Sequence, residues 1–115
     1  QHPNTVNSAY NLALLYDKQG KYGQAEPLYK RVLTFREQKW GAEHPDTVSS
    51  LNDLANLYHH QGKYEQAELL YQHALFICER VLGQYPITRI VHENYTSFLR
   101  MMRGDEKAKQ LDGES

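Results

Sequence analysis

The strongest constraint on this chain is that it contains one helical hairpin written twice. Leu54-Ala55-Asn56-Leu57-Tyr58-His59-His60-Gln61-Gly62-Lys63-Tyr64-Glu65-Gln66-Ala67-Glu68 restates Leu12-Ala13-Leu14-Leu15-Tyr16-Asp17-Lys18-Gln19-Gly20-Lys21-Tyr22-Gly23-Gln24-Ala25-Glu26. At a constant offset of 42 residues His2-Pro3 meets His44-Pro45, Leu28 meets Leu70, Tyr29 meets Tyr71, Leu33 meets Leu75 and Gly41 meets Gly83. Apolar residues recur at helical spacing, first as Val6, Ala9, Leu12, Ala13 and Tyr16, then as Tyr22, Ala25, Leu28, Tyr29, Val32 and Leu33. The pattern predicts a helix to about Lys18, a turn at Gly20, and a longer helix from near Tyr22 to about Trp40. Pro3 suits a first helical turn, and Asn4 and Thr5 can cap the free N–H groups there. Pro27 lies near the start of the second helix and can bend its first turn. Ala13 with Ala55, and Ala25 with Ala67, permit close helix approach, and the tyrosines at 16, 58, 22 and 64 fill the space beside them.

A hairpin of this kind cannot bury its apolar face alone, so its copies must stack. The expected fold is all-α, a right-handed α-solenoid of stacked antiparallel helix hairpins in one domain. Repeat 1 spans 2–41, repeat 2 spans 44–83, and a degenerate capping repeat spans 86–112. The third copy is offset by 41 residues: Tyr85-Pro86 replaces His-Pro, Ala108 meets Ala67, and Asp105 stands for the turn tyrosine. Gly104 is read as its turn, followed by a short polar helix of about two turns.

Composition excludes several function classes. Lys plus Arg total 13 against 14 Asp plus Glu, so no basic field for nucleic acid exists. The basic run Arg100, Arg103, Lys107, Lys109 is broken by Asp105 and Glu106. No apolar run reaches the length of a membrane span, and no leader peptide is visible. The single cysteine, Cys78, forms no internal disulfide and suits a reducing, cytoplasmic setting. Its place beside Leu75, Val81 and Leu82 reads as a small buried hydrophobe rather than a nucleophile.

No catalytic residue, cofactor or metal site is expected. Among six histidines, His59 and His60 are adjacent, and adjacent helical side chains point about 100° apart, which poorly suits one ion. Glu26 and Glu68 recur as a repeat feature and form no acid/base pair. The single glycines Gly20, Gly62 and Gly104 make no phosphate loop.

Asn-Leu-Ala-x-x-Tyr followed by Gly-x-Tyr-x-x-Ala, as at residues 11–25, resembles the tetratricopeptide repeat. The long period and the His-Pro-(Asp/Asn)-Thr-Val restart are similar to repeats of kinesin light chain and to arrays at the C-terminal end of bacterial NB-ARC-type signalling NTPases. The resemblance implies a protein-interaction scaffold whose first helices line a concave groove. Carried onto this sequence, the groove positions are Asn7, Tyr10, Asn11, Leu14, Asp17 and Lys18; then Ser49, Asn52, Asp53, Asn56, His59 and His60; then Ile90, Glu93, Asn94, Ser97, Arg100 and Met101. All but Asp17 and the third-repeat residues other than Asn94 are taken as partner contacts. The column Asn11, Asp53, Asn94 matches the family's asparagine ladder, which holds an extended peptide by its backbone, with Asp53 the departure. The alternative is that Asn11 and Asn94 bond local backbone or water. A carboxylate clamp does not fit, since Tyr10, Asn52 and Glu93 occupy the places where lysine is expected.

The expected partner is therefore a protein or peptide, with no nucleic acid and no membrane. The chain starts directly on a repeat. This predicts an apolar N-terminal edge that stacks on further repeats or on a second copy, in the C-terminal part of a larger protein.

Overall fold

The computed structural model describes the backbone of residues 3–114 and the side chains of residues 6–104. Among the described residues there are five helices: α1 (Pro3–Lys18), α2 (Tyr22–Trp40), α3 (Pro45–His60), α4 (Tyr64–Val81) and α5 (Pro86–Glu114). Helix α1 packs on α2 and α3 on α4, and these hairpins are joined by α2 against α3. Helix α5 lies against both α4 and α3. The result is an all-α helical repeat solenoid, a flattened body of 58 × 33 × 17 Å.

The turns obey the two copies of the sequence. Gly20 and Gly62 have φ of 76° and 79°, the left-handed region that suits a residue without Cβ. Lys21 N–H donates to the Tyr16 carbonyl at 2.8 Å and Gly20 N–H to the Asp17 carbonyl at 3.0 Å. Lys63 and Gly62 repeat this pair on Tyr58 and His59 at 2.8 and 3.1 Å. Both hairpins thus close with a Schellman motif that satisfies the orphan carbonyls of the first helix. The restart of α3 is also chemically specified. His44 Nδ1 accepts from the Asp46 N–H at 3.0 Å, Pro45 opens the first turn, and Trp40 stacks on the His44 ring at 4.9 Å. Helix α2 continues through Pro27 without interruption.

Ala13, Ala25, Ala55 and Ala67 are fully buried, so the hairpin helices approach at these positions. Tyr29 and Tyr71 fill the adjoining space, and Tyr71 stacks on Tyr95 at 5.6 Å. Each junction between repeats carries a tyrosine that donates to a glutamate of the preceding hairpin. Tyr58 reaches Glu26 at 3.2 Å, and Tyr95 reaches Glu68 at 3.2 Å. The recurrence of Glu26 and Glu68 therefore has a structural cause. Cys78 is buried among Val48, Ala74 and Val91, and burial pushes its thiol pKa up.

The third unit differs from the sequence reading. It is one helix rather than a hairpin, because α5 runs through Gly104 without a turn. Gly104 lacks the positive φ that closes the two true turns. An isolated glycine weakens a helix by about 1 kcal/mol but does not end it without a capping geometry. The proposed caps at Asn4 and Thr5, and the side-chain roles of Asp105, Ala108, Lys107 and Lys109, lie outside the described side chains.

A candidate interaction face on the first helices

Helix α3 is flanked on both sides, by α2 and by α5, and most of its circumference is buried. What remains is a stripe at Ser49, Asp53, Asn56 and His60. The same register gives Asn7, Asn11, Leu14 and Lys18 on α1, of which all but the half-buried Leu14 are exposed. On α5 it gives Ile90, Asn94, Ser97 and Met101. These positions follow the helical spacing that sets one residue above the next on one face.

Four expected contacts are placed differently or are already engaged. Asn52 is buried at 4% exposure, because the helix that carries it has neighbours on both sides. Tyr10 is half-buried, edge-on to Tyr29 at 6.4 Å and beneath the Arg36 guanidinium at 5.1 Å. His59 turns from the stripe and packs edge-on against Phe98 at 5.3 Å; burial, with the neighbouring His60, lowers its pKa. Asn56 accepts a hydrogen bond from the Tyr71 hydroxyl, and burial raises the Tyr71 pKa.

A polar network joins repeats 1 and 2 along this face. His60 Nδ1 meets Asp17 Oδ1 at 3.0 Å, and the Tyr29 hydroxyl donates to Asp17 Oδ2 at 3.1 Å. Burial, helped by the negative charge of Asp17, moves the Tyr29 pKa up. Arg36 donates to the Asp46 carbonyl at 3.0 Å and to the Ser50 hydroxyl at 2.9 Å. The Asp53 carboxyl is raised from 3.8 to about 6, chiefly by burial. The nearby Tyr10 hydroxyl and the charge of Arg36 oppose that rise, and the charge of Asp17 adds to it. Desolvation, with Asp53 beside it, pushes the Tyr10 hydroxyl to about 12.

Arg36 escapes the sequence reading, which places Asp17 in the groove register without its bond to His60. Their partners lie in the next repeat, and Arg36 has no charged counterpart at the equivalent Cys78. Two larger concavities are present besides the stripe itself, the first bordering it at Ser97. One of ≈ 640 Å³ is lined by Tyr85, Thr88, Arg89, His92, Thr96 and Arg100, among others. Another of ≈ 660 Å³ lies on α2 around Lys30, Arg31 and Phe35. Among the described residues no three His, Cys, Asp or Glu side chains converge as for a metal ion.

Comparison with known proteins agrees with this geometry. A family model described as tetratricopeptide repeat matches residues 5–46 and again 47–86. Against curated proteins the chain finds no match. Two glycine-closed helical hairpins in identical register, stacked second helix on first and matched twice by one repeat family, make this chain a member of the tetratricopeptide-repeat family.

Proposed function

We propose that the chain binds an extended segment of a partner protein along the face formed by α1, α3 and α5. Tetratricopeptide repeats are in general protein-interaction modules, and this family carries the coarse reading. The finer one is supported by the column Asn11, Asp53, Asn94, which repeats once per unit on that face. Amide groups there can both donate to and accept from a peptide backbone. Leu14, Ile90 and Met101 add apolar contact beside them, and Asn7, Lys18, Ser49, Asn56 and His60 complete the contact set. The near-balanced charge favours protein over nucleic acid as partner. No helix is long and apolar enough to cross a membrane among the described residues. The lone, buried Cys78 accords with a reducing compartment such as the cytoplasm.

Selection of a random peptide library on the immobilised chain tests this reading. Wild type enriches binding peptides, and Asn11→Ala with Asn94→Ala lowers their affinity about tenfold while circular dichroism stays helical. Absence of enrichment, or full binding by the double variant, refutes it.

A second reading, self-association through α1, has its own observation. Leu12 and Leu15 are 40% and 49% exposed, whereas their counterparts Leu54 and Leu57 are 4% and 0% exposed beneath the preceding hairpin. A second copy facing Leu12 and Leu15 through a two-fold axis would bury both pairs. Light scattering checks it: wild type should associate at high concentration, and Leu12→Ser with Leu15→Ser should not. A wild type that stays monomeric refutes the second reading and leaves the first intact.

A further inference from the structure

We propose that the interaction face selects peptides carrying a lysine or arginine, whose cation is received at Asp53; the proposal rests on the peptide-binding reading above. Two rungs of the ladder column are neutral amides, Asn11 and Asn94, and the middle rung is a carboxylate. Asn and Asp are nearly isosteric, so the backbone of the column does not require the charge. Of the three acids at the groove positions, Asp17 is engaged by His60 and Tyr29 and Glu93 by Arg89, which leaves Asp53.

The carboxylate is incompletely compensated within the fold. Its Oδ2 is buried and has no hydrogen-bond partner among the described residues. Asp17 shows what compensation looks like, with one oxygen on His60 and the other on Tyr29. The groups acting on Asp53 are Tyr10 and Asp17 from α1 and Arg36 from α2. Tyr10 favours the charged form and Asp17 opposes it. Arg36 is of the right sign, but its hydrogen bonds go to the Asp46 carbonyl and the Ser50 hydroxyl. A buried carboxylate short of donors raises the free energy of the fold until a donor reaches it. An ammonium or guanidinium supplies both the missing donor and the missing charge, and such charge-assisted bonds are about twice as strong as neutral ones. The asparagines on either side hold the peptide backbone in register, so the cation arrives at one fixed position along the segment.

The same random-library selection decides the matter, read now by the sequences recovered. Wild-type binders should share a lysine or arginine at one position. Binders selected on Asp53→Asn should lose that preference while selection itself still succeeds. A peptide recovered on wild type should lose about tenfold in affinity for Asp53→Asn, and its analogue with norleucine for the basic residue should bind both proteins equally. Asn94→Asp provides an independent arm: a second carboxylate one repeat along should create a second basic preference. Wild-type binders without a conserved basic position, or a basic preference that persists in Asp53→Asn, overturn the proposal while peptide binding stands. Failure to recover any binder overturns peptide binding and this proposal together.

Discussion

Burial makes the Asp53 carboxyl costly to ionise, and this has a definite sign. The unfolded group titrates near 3.8 and the folded one near 6. Between those values the native chain holds a proton that the unfolded chain has released, so stability falls as pH rises through this window. By pH 7 the loss reaches up to about 3 kcal/mol, before any compensation by relaxation of Tyr10, Asp17 and Arg36 around it. Asp53→Asn should therefore raise Tm at pH 7 and flatten the fall between pH 4 and 6. A thermal melt showing an unchanged or lower Tm at pH 7 contradicts the burial argument. A second residue-scale outcome concerns Ala67, which has no exposed surface. Ala67→Leu should overpack the hairpin and cost about 1–3 kcal/mol in urea denaturation. The sequence alone placed Ala67, because its role recurs at Ala25. It misplaced Asn52, since a stripe drawn on one helix cannot register a neighbour on each side of it.

At the scale of the element, glycine separates two kinds of helix. Gly62 sits at φ 79° with open space where a Cβ would go, so Gly62→Val meets backbone strain without a side-chain clash. The expected cost is about 1–2 kcal/mol or more for a β-branched residue. Gly104 also has open space but lies inside α5. Gly104→Ala should stabilise by about 0.5–1 kcal/mol, the ordinary helix-propensity gain. If Gly104→Ala instead destabilises by that amount, the chain turns at Gly104 and the continuous helix is wrong. The hairpins were legible because the residue at each turn and the tyrosine beyond it occur twice in one register. The third unit was not, since its glycine aligns by count while the Schellman donors and the following tyrosine are missing.

Across the whole molecule the two junctions differ in chemistry. Beyond the tyrosine–glutamate bond that both junctions share, repeats 1 and 2 meet through Arg36 with Ser50 and Asp17 with His60. At the second junction Cys78, Leu82, Ile87 and Val91 form an apolar cluster with Val48. Helix α3 buries residues along its whole length, from Thr47 to Tyr58, while α2 buries Ala25, Tyr29 and Val32. Native-state hydrogen exchange should accordingly find α1 and α2 opening before α3 and α4. Uniform protection across all four helices would count against this ordering. Such cross-repeat pairings could not be read from the sequence, because the repeat aligns equivalent positions and these contacts join inequivalent ones.

Trp40 ends α2, is partly exposed, and stacks on the His44 ring that caps α3. It is the only tryptophan in the chain. The linker between the first two repeats is thus optically tagged by nature. Any hinging there separates indole from imidazole and alters the emission of a single fluorophore, so flexing of the array can be followed in solution, label-free, while its helices remain intact.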